Sequence, residues 1–266
     1  MQRTERAWLT FLEYSGPSRD WSQQAPLVVT VAVRLRETMI LWGPTPRRMT
    51  MRIGIVGAGM IGSTLATLFV DAGHEVRVAS RHPDQLRLLI AQLGRRASAG
   101  TPAEAAAYGD LVVLTVPLGA VPQLAKELAP LLKGKIVLDT ANAYERRDGA
   151  VAREAANYPQ GSAGWAAAMF PGSRWVKAFN TVYYKTLQHE AHRRGERVGI
   201  PLASDDRAAL ETAQQLVRQA GFEPVVVGAL ARGKEFEPDT PPYNTGMSGP
   251  DLRNFWEQEA GAQAHK

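Results

Sequence analysis

The stretch MRIGIVGAGMIGSTLATLFVDAGHEVRVASR, Met51 to Arg81, decides how the chain folds. A short apolar run, RIGIVG, leads into Gly57-Ala58-Gly59-Met60-Ile61-Gly62. Ile61, Leu65, Leu68 and Phe69 then fall on one helical face by their spacing. A second apolar run, EVRVAS, follows. Between a strand and a helix, G-x-G-x-x-G is the turn that receives a dinucleotide. Gly57 permits the tight turn, Gly59 lets a pyrophosphate approach the backbone, and Gly62 lets helix and strand pack closely. The helix start adds free N–H groups and a partial positive charge.

The second run ends at Ser80, 21 residues after Gly59, and Arg81 follows. An acid here would accept hydrogen bonds from the adenosine ribose and suit NAD, but it would repel a 2′-phosphate. A hydroxyl and a guanidinium instead both donate to phosphate oxygens. One such charged hydrogen bond is worth about 1.5–3 kcal/mol, roughly a ten- to hundredfold preference. The expected cofactor is therefore NADP(H). His82 and Arg87 are further candidates, or simply solvated side chains.

Outward from this unit the pattern repeats. The runs LVVLTV, GKIVLDT, WVKAFNT and RVGIPLAS are short, β-branched and continuous, as in strands buried on both faces of a parallel sheet. Thr101-Pro102-Ala103-Glu104 reads as a capping box with proline first in the helix. SDDRAALETAQQLVRQAG reads as a helix capped by Ser204 and closed by Gly221. The fold class expected is α/β, a doubly wound parallel sheet of the Rossmann type over residues 51–230. Residues 231–266 read as a polar tail, Pro/Gly-rich, then short-helical, then frayed.

Residues 1–50 differ in character. They hold three of the six Trp and show no period, and strand-forming sequence begins at once at Met51. They read as a poorly structured extension or a mis-called start near Met49 or Met51. The alternative is a genuine but unclassifiable segment, and mass spectrometry of the natural N-terminus discriminates. With seven Arg and four acids they also carry +3 of the net +5. The remainder is only weakly basic and lacks a basic stripe with interleaved aromatics, which argues against nucleic-acid binding. PLVVTVAVRLRETMILW is too short, and too interrupted by Arg34, Arg36 and Glu37, to span a membrane or serve as a signal peptide. The cytoplasm is the expected compartment. Without cysteine, neither disulfides nor thiolate metal sites are available.

In a doubly wound sheet the ligand lies beyond the carboxyl ends of the strands. Three strand ends supply candidates: Thr115, Val116 and Pro117 beside the nicotinamide ribose; Thr140 to Tyr144, with Asn142 reaching ribose or carboxamide; and Ala178, Phe179, Asn180 and Thr181, with Asn180 the polar contact. Singly, each is equally well read as turn chemistry. No catalytic acid or base stands out. His189 and His192 in HEAH read as a solvated helix face, not a metal pair, and no metal is expected. His74 reads as a connector. Lys177 precedes its strand end, and Asp139 either orients backbone groups or finishes a strand. Hydride transfer between nicotinamide and another redox ring asks for little proton chemistry, chiefly for two rings held face to face in a dry slot.

The segments from Met51 to Arg81, LTVPLGAVPQL, GKIVLDTANAY with the later RDG, VKAFNTV, and GIPLASDDRAALETAQQLVRQAGFEPVVVGAL together resemble the NADPH-dependent deazaflavin reductases, the coenzyme F420-dependent NADP oxidoreductases. The resemblance covers roughly Met51 to Leu230. It implies hydride passage between NADPH and a deazaflavin ring, Ser80 and Arg81 on the 2′-phosphate, and Ala178 to Thr181 beside the nicotinamide. The tail departs from the family's longer helical C-terminal region. The expected function is an NADPH-dependent oxidoreductase with a small-molecule acceptor, coenzyme F420 or another flavin. A homodimer is left open. An imine or ketone reductase of the pyrroline-5-carboxylate kind and a non-catalytic NADP(H) sensor are the alternatives.

Overall fold

The computed structural model describes residues 50–264. The expectations placed on residues 1–49, including the apolar segment before Trp42, lie outside the described residues. Eight strands form one sheet in the order β3-β2-β1-β4-β5-β6-β7-β8. They are β1 (Arg52–Val56), β2 (Glu75–Ala79), β3 (Ala97–Gly100), β4 (Leu111–Leu114), β5 (Ile136–Asp139), β6 (Arg174–Lys177), β7 (Gly199–Ala203) and β8 (Glu223–Gly228). All neighbours pair in parallel except β6 and β7, which meet antiparallel through Lys177 and Ala203.

The helices are α1 (Met60–Asp71), α2 (Arg87–Leu93), α3 (Pro102–Tyr108), α4 (Val121–Leu132), α5 (Glu145–Asp148), α6 (Ala150–Ala156), α7 (Gly161–Ala168), α8 (Tyr184–Glu190), α9 (Arg207–Gln219) and α10 (Gly249–Ala264). Strand residues alternate between two cores. Ile53, Ile55, Leu111, Val113 and Leu138 pack with Leu65 and Phe69 of α1 and Leu216 of α9. Val56, Val112, Leu114 and Val137 pack with Leu128 and Leu132 of α4 and Trp165 of α7. A sheet covered on both faces explains why its central strands are mostly apolar, with charges only at strand ends such as Arg52, Asp139 and Lys177.

Two strands were not foreseen. The sequence of β3, ASAG, has no β-branched or aromatic residue to mark it. Strand β8 carries Pro224, which is tolerated because β8 is an edge. The capping box at Thr101 forms as expected: Thr101 N donates to Glu104 Oε2 (2.7 Å), and Glu104 N to Thr101 Oγ1 (3.3 Å).

The cap of α9 is corrected from Ser204 to Asp206, whose carboxylate accepts from Ala209 N at 2.9 Å. Ser204 instead donates to the Trp175 carbonyl (2.7 Å) and accepts from Asp206 N (3.1 Å). The carboxylate is the stronger acceptor and gains a bidentate bond from Arg174, at 2.6 and 2.9 Å. Arg174 and the helix N–H groups hold the Asp206 carboxyl well below the usual range.

The tail is packed. Helix α10 runs 16 residues, and its Leu252 and Trp256 close a third apolar cluster with Ala203, Val225, Val227 and Phe236. Among the described residues no helix is long and apolar enough to cross a membrane.

Candidate functional site

The strand order reverses between β1 and β4, since the chain leaves β1 toward β2 on one side and returns as β4 on the other. Such a reversal opens a crevice beyond the strand ends, and the glycine turn stands in it. Gly57 has φ +111°, and a Cβ there would lie 2.4 Å from the Thr115 carbonyl oxygen. A Cβ on Gly62 would lie 1.9 Å from the Gly57 oxygen. Both glycines are thus demanded by the fold itself. Thr115 Oγ1 donates to the Gly57 carbonyl at 2.6 Å and pins the turn to β4. Gly59 is different. Its φ of −71° suits any residue, and a Cβ there would meet nothing within 4 Å. It caps α1 with no side-chain bond to the helix N–H groups, and no acid sits in the first turn. This is an uncapped helix start facing open space, the arrangement that accepts a phosphate.

Two cavities flank the turn and share Gly59, Thr115, Val116 and Pro117. The first, about 690 Å³, is lined by Gly57, Ala58, Ser80, Arg81 and Gln85 among others. Arg81 is exposed and makes no hydrogen bond or ion pair among the described residues. The Ser80 hydroxyl accepts from His82 N at 3.1 Å, which leaves its own hydrogen available. His82 and Arg87, the two further candidates, do not line this cavity, whereas Gln85 does.

The second cavity, about 420 Å³, takes in Met60, Ile61, Thr140, Asn142, Phe179 and Asn180, with a wall of Tyr144, Tyr183, Tyr184 and Tyr243. Gly62, Ala178 and Thr181 line neither cavity. Ala178 is fully buried in the core, and Thr181 Oγ1 donates to the Phe236 carbonyl at 3.2 Å. Phe179 has φ 60°, an uncommon backbone for a non-glycine residue, at the cavity edge. Its buried ring is held edge-on by Phe69 and Phe222, with centroids at 6.3 and 6.4 Å.

The two asparagines are bonded to each other and to the tail. Asn180 Nδ2 donates to Asn142 Oδ1 and to the Phe236 carbonyl, each at 3.0 Å. Asn142 Nδ2 donates to the Asn180 carbonyl at 2.8 Å and to Tyr243 Oη at 3.4 Å. All four amide N–H groups are therefore satisfied within the protein, so only amide oxygens remain for a ligand. The pair braces the cavity floor and ties the tail to the ends of β5 and β6.

Beneath this floor lies a buried charge cluster. Lys177 Nζ, fully buried, donates to Asp139 Oδ2 at 3.1 Å and to the Ala141 carbonyl. Asp139 Oδ1 accepts from Ala141 N at 2.8 Å. Glu237 from the tail stands 3.9 Å from Lys177 and accepts from Ser162 of α7. Asp139 thus orients the backbone and also finishes its strand. Neither it nor Lys177 touches the cavity.

Sequence reasoning missed the tyrosine wall. Tyr144 lies at the end of a candidate segment, but Tyr183 and Tyr184 sit at the start of α8 and Tyr243 in a loop, with no period linking them. Tyr144 Oη and Tyr243 Oη are hydrogen-bonded to each other. Burial, and then the bond to Tyr144, push the Tyr243 hydroxyl well above the ordinary tyrosine range. The Arg147 guanidinium stacks over the Tyr144 ring, 4.9 Å from its centroid. His189 ends up on α8 while His192 lies beyond the helix with φ 58°, its N–H bonded to the Gly221 carbonyl. Among the described residues no His, Asp or Glu cluster is arranged to hold a metal ion.

Residues 52–143 match the family model for coenzyme F420-dependent NADP oxidoreductases. The chain is 31% identical over 186 residues to the metalloreductase STEAP3 of Rattus norvegicus, covering 70% of this chain and 36% of that protein. It therefore spans about a third of that relative's length. It is 30% identical over 207 residues to the F420-dependent NADP reductase of Methanothermobacter thermautotrophicus, covering 73% of this chain and 88% of that one. A solved hypothetical protein from Sinorhizobium meliloti superposes with a TM-score of 0.65 at 27% identity, over 76% of this chain and 97% of that one. With the reductase matched along nearly its full length, and a phosphate-accepting turn in place to serve it, the chain belongs to the coenzyme F420-dependent NADP oxidoreductase family, a family of NADP(H)-using enzymes.

Proposed function

We propose that the chain passes a hydride between NADP(H) and a flavin-like acceptor, with a deazaflavin of the F420 type first among the candidates. The observation that carries this reading is the shared wall of the two cavities. Gly59 and Thr115 to Pro117 belong to both, so one extended ligand can run from Ser80 and Arg81 across the open helix start to the tyrosine-walled end. When bound there, the nicotinamide supplies the hydride and the acceptor ring takes it.

The residues divide the remaining work. Gly59 gives the pyrophosphate room, and the first N–H groups of α1 face its charge. Ser80 and Arg81 donate to the 2′-phosphate. The backbone of Thr115, Val116 and Pro117 flanks the nicotinamide ribose. Asn142, Phe179 and Asn180 form the floor, and the four tyrosines wall the space left for the second ring. The near-full-length likeness to an F420-dependent NADP reductase supports the deazaflavin class, and the likeness to a metalloreductase keeps other flavins in view.

The test is NADPH oxidation by the whole chain offered FMN, FAD, deazaflavin coenzyme, quinones and ferric chelates in turn. Turnover confined to a flavin-like acceptor is the expected result. Tight NADPH binding without turnover on any of them would overturn the reading in favour of a nucleotide sensor.

A further inference from the structure

A third cavity, about 480 Å³, adjoins the tyrosine-walled one, and the two have only Tyr144 and Tyr243 in common. The hydroxyls of these two residues are bonded to each other at this partition. The direction of that bond follows from their neighbours. Asn142 Nδ2 donates into Tyr243 Oη, and burial holds the proton of Tyr243 in place. Tyr243 is therefore the donor within the pair, and the hydrogen of Tyr144 is left to point elsewhere. The Arg147 guanidinium covers the Tyr144 ring and pairs with Asp148 at 2.8 Å. The remaining charged groups around the partition are Glu145, Arg146, Arg153 and Asp239, all lining the third cavity.

From this arrangement we infer that Tyr144 is the proton donor to the acceptor, recharged through Tyr243 from solvent in the third cavity. The inference rests on the hydride-transfer reading above. As the hydride adds to the acceptor ring, two electrons arrive and one negative charge settles on a ring nitrogen or carbonyl oxygen. Tyr144 Oη gives its proton to that heteroatom and is left as phenolate. Tyr243 Oη passes its own proton to Tyr144 only as solvent in the third cavity replaces it, so Tyr243 is never left as a buried phenolate. Tyr243 is a positioning and relay residue in this scheme. The bonded pair thereby joins the tyrosine-walled cavity to the solvent of the third one by a proton path.

The test compares the full-length chain with Tyr144→Phe and Tyr243→Phe. With saturating NADPH and a flavin-like acceptor, Tyr144→Phe is expected to lower kcat tenfold or more. It should also abolish the alkaline fall in the kcat profile, while the Kd for NADPH, read by nicotinamide fluorescence, stays within twofold. Tyr243→Phe should give a smaller loss with the alkaline fall retained. Wild-type kcat in Tyr144→Phe, or a loss of kcat with an unchanged pH profile, overturns the donor role. A readout independent of turnover is a slowly exchanging hydroxyl proton in the ¹H NMR spectrum, present in the unliganded wild type and absent from both variants. Lack of that proton in the wild type overturns the relay even if every acceptor is reduced. Failure of all acceptors with the proton present overturns the hydride-transfer reading, and the donor role with it, while the bonded pair stands.

Discussion

A methyl group placed on Gly59 would touch no protein atom, whereas one on Gly57 or Gly62 would collide with backbone. Only something outside the chain can require Gly59 to be bare. Gly59→Ala is therefore expected to fold normally, with a shift in urea unfolding of about 1 kcal/mol or less. It should nevertheless weaken NADPH binding tenfold or more, because the new Cβ occupies the path of the pyrophosphate. Arg81→Ala should cost a similar factor for NADPH and leave NADH nearly unaffected, since only the 2′-phosphate is abandoned. Fluorescence titration of both cofactors reads both variants. Equal losses for NADH and NADPH in Arg81→Ala would make that arginine structural, and unaltered binding in Gly59→Ala would move the pyrophosphate off the turn.

Between elements the decisive contact is the buried pair of Lys177 on β6 and Asp139 on β5, both with fully buried side chains. Removing the cation leaves Asp139 charged and unpaired in the core, at a cost of about 3–5 kcal/mol. Lys177→Met should show that loss in urea unfolding, and Lys177→Met with Asp139→Asn a smaller one. A single variant as stable as wild type would mean that Asp139 is paired by other means. None of this was legible beforehand, because a lysine and an aspartate in two apolar runs look like strand ends until the register sets them opposite each other. The runs themselves were readable, since a strand buried on both faces is apolar along most of its length. Strand β3 was not, because alanine, serine and glycine occupy a crowded edge as easily as a loop. At α9 the sequence was read as capped by Ser204, and Arg174, 32 residues before Asp206, is the partner that favours Asp206 instead. Tyr243 was hidden for a similar reason: no period links it to Tyr144, and it is held there by its bond from Asn142 and by Asn244 N donating to the Thr181 carbonyl.

Across the whole molecule, the proposed nucleotide seat spans the ends of β1, β2 and β4, so ligand binding should stabilise the folded chain as a unit. NADPH at a hundredfold excess over its Kd adds about 2.7 kcal/mol, which raises Tm by roughly 5–10 °C for a domain of this size. NADH at the same concentration should raise it far less, and differential scanning fluorimetry reads both. Equal shifts would contradict the phosphate-selective reading of Ser80 and Arg81. The clamp of the tail onto the floor also has a consequence in time. The turn and its flanking strands leave the ribosome first, and Tyr243 follows Pro117, at roughly 5–20 residues per second, on the order of ten seconds later. A nascent chain can thus meet its nucleotide before Tyr243 completes the wall facing the second ring. Inheritance can act on the halves separately for the same reason. Grafting a foreign segment after Leu230 would retune what is reduced while leaving the source of electrons unchanged.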